Sequence, residues 1–151
     1  MRAVVQRVSR AEVRVDGIVV GAIGRGLLVF LGVAVGDTHA EAAWLAAKIP
    51  RLRIFSGAAG TFDQGLADAD GAILVVSQFT LLGDARKGRR PDFTMAAPPA
   101  AARALYEGFI AKLRAEGFRV EAGVFGATME VELVNDGPVT ILIERAPRAA
   151  A

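Results

Sequence analysis

Asp16-Gly17, set between Val13-Arg14-Val15 and Ile18-Val19-Val20, narrows the fold of this chain more than any other feature. A two-residue connection between alternating runs needs positive φ at both central residues. Asp-Gly supplies that cheaply, so the segment predicts a β-hairpin. Ala3 to Val8 also reads as a strand, Leu27 to Val33 as a continuous apolar strand, and Ala72 to Gln78 as the central one. Short strands are predicted at Leu52 to Phe55, near Thr61-Phe62, at Phe118 to Glu121 and over 128–134. A Gly137-Pro138 turn and a last strand from Val139 to Ile143 follow.

Only two helices are predicted. Thr38-His39-Ala40-Glu41 has the form of a capping box, and the helix after it puts Leu45, Ile49 and Trp44 on one face before Pro50 ends it. Pro99 opens the second, with Ala102, Leu105, Phe109 and Leu113 as its buried stripe and Gly117 as its C′ residue. Strands outnumber helices and do not alternate with them, which disfavours a doubly wound parallel sheet. The expected fold class is α+β: a small, mostly antiparallel β-barrel-like sheet with two helices packed outside. The domain is expected to span 1–145, with a short tail at 146–151.

Composition mainly excludes. At 151 residues without a cysteine, the chain has no disulfide, thiolate metal site or cysteine nucleophile. With one histidine, His39 at the first position of a helix, zinc is improbable, and no metal or cofactor is expected. A Ser-His-Asp triad would have to use His39, and nothing else favours that. The start is charged too early for a signal peptide, and no apolar run approaches the roughly 20 residues that span a bilayer. A soluble, cytoplasmic protein without a membrane partner is expected. The net charge of +2 and the pI near 9.5 permit an anionic partner without demanding one.

Ser77-Gln78-Phe79-Thr80-Leu81 directly follows the apolar run Ala72 to Val76. Polar groups at the end of a buried strand either find partners or face a cavity. Backbone amides at such a bend can converge into an oxyanion hole, with those of Gln78 and Phe79 as the candidates. Asn135-Asp136-Gly137-Pro138-Val139-Thr140 puts a second rigid polar segment between strand-like runs; a plain hairpin turn is the simpler reading of it. The polar loop over residues 82–98 carries Arg86, Lys87, Arg89 and Arg90, the densest basic patch. Such a patch is either solvated or placed against a nucleic acid backbone.

These two segments, in this order and about sixty residues apart, resemble the paired signatures of the D-aminoacyl-tRNA deacylases. Gln6-Arg7-Val8, Gly26-Leu27-Leu28-Val29, Arg53-Ile54-Phe55 and Arg90-Pro91-x-Phe93 extend the resemblance along nearly the whole chain. The resemblance implies hydrolysis of the ester joining a D-amino acid, or glycine mischarged on another tRNA, to the terminal adenosine, with L-aminoacyl groups rejected. It implies a homodimer with active sites at the interface, acting on aminoacyl-tRNA and not on DNA. Ser77, Gln78, Phe79 and Thr80 would line the ester site. Gly137 and Pro138, joined by a cis bond in the family, would enter from the partner subunit as a chirality filter. Arg7 would fix the partner's Gly-Pro loop, Val139 and Thr140 would support it, and Phe125 and Met129 would contact the adenine. Phe62-Asp63 departs from the Met-Asn pair common in the family. The alternative is a non-catalytic tRNA-binding module on the same fold.

Overall fold

The computed structural model describes residues 1–147 of the chain. The expected tail lies outside the described residues from position 148 onward. Strand β1 (Arg2–Val15) is the spine of a six-stranded sheet. Its C-terminal part pairs antiparallel with β2 (Ile18–Ile23), and its N-terminal part with β3 (Gly26–Gly32). Its other edge is covered by β8 (Glu130–Glu144), also antiparallel. β2 and β3 therefore run in line along one side of β1. Asp16 and Gly17 both take positive φ, 51° and 76°, as the hairpin requires.

β6 (Ala72–Ser77) adds parallel to β3, and β7 (Val120–Ala122) adds parallel to β6. The sheet is mixed, with antiparallel pairings in the majority, and it curls until its ends nearly meet. At Gly21 of β2 an added Cβ would lie 2.8 Å from the Ala122 carbonyl of β7, so only glycine permits that approach.

Period-2 alternation sorts the apolar residues into two cores. Leu27, Val29, Leu31, Ile73 and Val75 face the helices, whereas Leu28, Leu74 and Val76 face the barrel interior. On β1 the sides exchange partway along. Ala3 and Val5 face the helices, Val8 faces inward, and Ala11 and Val13 also face inward. The extra residue Ser9, where the register slips between Val8 and Arg10, accounts for the reversal.

Helix α1 (His39–Lys48) has the expected capping box: the Thr38 side chain accepts from Ala40 N at 3.2 Å, and Glu41 Oε2 accepts from Thr38 N at 2.8 Å. Leu45 is buried. Trp44 is not; it lies toward solvent with the Arg145 guanidinium 5.0 Å from its ring centre. Helix α2 (Pro99–Ala115) starts at its proline and buries the expected stripe together with Tyr106 and Ile110. It ends in a Schellman motif. Gly117 has φ +89°, its N–H bonds to the Arg114 carbonyl, and Phe118 N–H bonds to that of Leu113.

Some boundaries differ from the sequence reading. The strand expected from Leu52 begins only at Phe55, because a 3₁₀ turn over Ile49–Arg51 carries the chain onward from Pro50. β4 (Phe55–Gly57) and β5 (Gly60–Gln64) form a small hairpin of their own, with the exposed Phe62 at positive φ. The segment around Gly137-Pro138 is not a hairpin turn. Residues 130–144 are one strand on one partner, because both flanking runs find their hydrogen bonds on β1.

Candidate active site

β6 delivers Ser77 to its C-terminal end, and the chain then turns through a 3₁₀ helix at Phe79–Leu82. Above this turn lies a cleft of about 580 Å³. Ser77, Gln78 and Phe79 form one wall. Pro99, Ala102 and Tyr106 of α2 form another, and Phe125, Gly126, Ala127, Met129 and Val131 form the third. Phe93 closes the rim, edge-on to Phe79 with ring centres 5.2 Å apart. Phe79 is 59% exposed, so the pair forms an apolar lip rather than a core contact.

Five of the expected residues thus share one wall or the next: Ser77, Gln78 and Phe79, with Phe125 and Met129 opposite. Thr80 stands beside them, its hydroxyl accepting a hydrogen bond from Gln78 Nε2. The sequence reading missed Tyr106, Phe93 and the small residues Ala97 and Ala102. Their signal was the helix stripe and the long loop, neither of which reveals a cavity until the helix is docked on the sheet.

No lining side chain is charged, and none is a histidine, lysine or carboxylate. The one titratable group is Tyr106. Burial holds its phenol up to about 12, and it donates to the Val75 carbonyl at 3.0 Å. Among the described residues, none that lines the cleft is a base able to activate Ser77 or Thr80 as a nucleophile. His39 is exposed at the start of α1, facing Gly108 of α2, and does not line the cleft.

The amide assignment needs one correction. Gln78 N–H is bound to the Leu31 carbonyl at 2.9 Å, continuing the β6–β3 ladder, and is unavailable to a substrate. The amides of Phe79 and Thr80 open the 3₁₀ turn and have no acceptor among the described residues. They are the free donors at this bend. Arg2 fixes the turn from beneath, donating to the Leu81 carbonyl while pairing with Glu144.

The second motif lies elsewhere in the chain. Between Gln6–Thr140 and Val8–Asn135, Arg7 alone faces residues 136–139, so Gly137 and Pro138 bulge out of β8 and are exposed. Val139 is buried in the helix-side core. Asn135 Nδ2 donates to the carbonyls of Arg7 (2.9 Å) and Val139 (3.1 Å), and Gln6 Nε2 donates to Thr140 Oγ1 at 3.2 Å. Arg7 braces the bulge of its own chain. Its Nε lies 3.1 Å from both the Asp136 carbonyl and Asp136 Oδ2, and its Nη1 donates to the Ile54 carbonyl.

The Gly137–Pro138 bond is also corrected. No peptide is cis among the described residues, and Gly137 takes φ +113°. Trans is the default by about 0.5–1 kcal/mol, and the contacts of Arg7 and Asn135 grip the residues around the imide without forcing it over. Arg7 faces Leu27, which faces Ile73, whereas Ser77 faces Leu31. Four residues at about 3.3 Å and three strand spacings of about 4.8 Å put the bulge on the order of 20 Å from Ser77. One chain does not bring the two motifs together.

The basic loop is a pinned finger. Asp84 and Asp92 exchange backbone hydrogen bonds at 2.8 and 2.9 Å across its base. Arg86 is bound to Asp84, whose carboxyl that arginine lowers to about 2. Lys87, Arg89 and Arg90 are exposed and have no carboxylate partner among the described residues. A second hollow of about 650 Å³ lies by Arg2, Asp37 and Arg145. It is the larger of the two, and most of its charges are paired, as Arg2–Glu144, Arg86–Asp84 and the Met1 ammonium on Asp37, while Arg145 stacks on Trp44 with no carboxylate partner among the described residues.

Fold and cleft define a class: a small barrel-like α+β domain with an uncharged cleft at the end of a parallel strand and unpaired main-chain donors at the bend beside it. Comparison narrows it. A family model described as D-Tyr-tRNA(Tyr) deacylase matches residues 4–144. A D-aminoacyl-tRNA deacylase of Anaeromyxobacter dehalogenans is 67% identical over 144 residues, covering 95% of this chain and 97% of that protein. One of Roseiflexus castenholzii is 60% identical over 146 residues, covering 97% and 93%. Among solved structures, a c-Myc DNA unwinding element binding protein superposes with a TM-score of 0.90 at 43% identity, covering 97% of this chain and all of that one. A probable eukaryotic D-amino acid tRNA deacylase superposes with a TM-score of 0.79 at 21% identity, a likeness of fold alone. The chain belongs to the D-Tyr-tRNA(Tyr) deacylase family. It is accordingly an enzyme, a hydrolase acting on D-aminoacyl-tRNA.

Proposed function

We propose that this chain proofreads chirality, cleaving the ester of D-aminoacyl-tRNA and of glycyl-tRNA mischarged on another tRNA while sparing L-aminoacyl-tRNA, in the cytoplasm. The observation that carries this reading is the bend after Ser77: the main-chain amides of Phe79 and Thr80 have no acceptor among the described residues, and the cleft beside them is lined by no side-chain base. An aminoacyl ester is an activated acyl compound, so positioning and an oxyanion hole suffice. Water adds to the ester carbonyl, and the amides of Phe79 and Thr80 hold the oxyanion. The C–O bond to the ribose then breaks, the 3′ oxygen takes a proton relayed by the neighbouring 2′-hydroxyl, and free amino acid and tRNA leave. One such donor is worth about 10²–10³ in rate. Phe125 and Met129 receive the terminal adenine, and the finger with Lys87, Arg89 and Arg90 steers the acceptor end.

The filter is lent by a second copy. Gly137 and Pro138 form an exposed, braced bulge that lies too far from their own Ser77 to act there, so a homodimer is the unit that unites the motifs. Rigid main chain can bind the substrate ammonium and obstruct an L side chain without reading the D side chain. Glycine, lacking a β-carbon, escapes this filter and is cleaved. Parallel hydrolysis of D-Tyr-tRNA and L-Tyr-tRNA tests the reading. Release from the D-form alone is expected. Equal rates, or tight binding without turnover as for a passive tRNA-binding module, would refute it. Sedimentation of the same sample is expected to give twice the chain mass.

A further inference from the structure

The cleft itself carries no charge, yet the acceptor end proposed to enter it is an anion at every nucleotide. Something at the rim must meet the phosphates, and the geometry points to Arg103. We propose that Arg103 binds the phosphate next to the terminal nucleotide, as an anchor at the mouth of the cleft. This rests on the proposed function and adds a contact to it.

Three observations converge. Pro99, Ala102 and Tyr106 of α2 line the cleft, and at 100° per residue Arg103 falls about 40° from Pro99 on the helix circumference, at the border of that face. The guanidinium lies 4.9 Å from the ring centre of Phe125, itself a wall residue, so it is held at the cleft edge rather than waving in solvent. Phe125 is steadied further by Tyr106, with ring centres 5.7 Å apart.

The pairing that Arg103 does not make is equally informative. Glu107 is one helical turn away, the spacing at which opposite charges meet, yet no ion pair forms. Other cations of the same helix and its surroundings are taken: Lys112 and Arg51 by Glu116, Arg119 by Asp70, and Arg114 by the Val120 carbonyl. Arg103 has no carboxylate partner among the described residues. Its planar fork, stacked on an aromatic with its donors free, suits bidentate binding of a phosphate.

The test compares two D-tyrosyl esters, one on tRNA and one on adenosine alone, which carries no phosphate. For Arg103→Ala the KM for D-Tyr-tRNA should rise about five- to tenfold with kcat within about twofold, and the salt dependence of kcat/KM should flatten by about 0.7 in log–log slope. Hydrolysis of 3′-O-D-tyrosyl-adenosine should be unchanged. Arg103→Lys, which keeps the charge, should recover most of the KM. Equal losses on both esters would mean that Arg103 merely props Phe125, and an unchanged KM and slope would mean that it is idle; either overturns the proposal. A wild-type protein inert to both esters would instead bring down the proofreading reading, and this anchor with it.

Discussion

Gly137→Ala probes the bulge on which chirality selection is proposed to rest. Two costs can be worked out. Alanine is strained at the native φ of +113°, which costs about 1–3 kcal/mol. The new Cβ would also fall well inside van der Waals contact of Arg7 Nη2. The Arg7 side chain is only 11% exposed and ties Asp136 to Ile54, so it cannot withdraw without surrendering a charged hydrogen bond, another ~1.5–3 kcal/mol. The total is on the order of 4 kcal/mol, a large part of a typical domain's stability. A chain of this size loses about 2–4 °C per kcal/mol, so a fall in Tm of about 10 °C is expected by calorimetry. Release of D-tyrosine should fall at temperatures where the variant is still folded. A double-mutant cycle with Arg7→Ala separates the costs, because the clash vanishes when the guanidinium is gone. An alanine variant melting within about 1 °C of wild type would refute the argument.

Other outcomes follow from the cleft. Tyr106→Phe removes a buried hydrogen bond to the Val75 carbonyl, which keeps the one it accepts from Gly123 N–H, and should cost about 0.5–1.5 kcal/mol by denaturant titration, with the KM for D-Tyr-tRNA raised as the wall loosens. His39→Ala should leave turnover within about twofold in steady-state assays, and Ser77→Ala or Thr80→Val should reduce it without abolishing it. Complete loss in any of the three would restore a side-chain nucleophile or base. The finger should respond to acid. The Asp84 carboxyl is held at about 2 in the fold by the Arg86 side chain, below an unfolded value near ~3.9, so its contribution is full above about pH 4 and drains away toward pH 2. Amide exchange at Arg86 and Asp92 should accelerate over that window and not between pH 5 and 8.

How much of this was legible in the residues depends on how local each signal was. The Asp16-Gly17 hairpin, the Thr38–Glu41 box and the Gly117 cap are decided within a few residues, and each formed as read. The cleft's floor was legible because polar Ser77 and Gln78 directly follow a buried apolar run. Its ceiling was not, since Ala102 and Tyr106 look like ordinary helix stripe until α2 is docked. The Gly137-Pro138 segment misled for a related reason. A turn dipeptide between two strands is a hairpin when the strands pair with each other, but here both pair with β1, a long-range choice that sequence spacing does not encode. The oxyanion candidates divided on the same ground: the Gln78 amide went to Leu31 of a strand forty-odd residues earlier.

Because β8 lies against nearly the full length of β1, the first strand made is completed by the last. A nascent chain holding everything through residue 129 still lacks one stave, and β1 presents a bare edge of some dozen residues to any neighbour with strand character. Closure must await the final fifteen-residue strand, which favours slow, late consolidation over folding by instalments. The same strand carries the Gly-Pro bulge, so a ribosome product truncated before residue 137 would lose both the barrel's last wall and the bulge proposed to sort the substrate's hand.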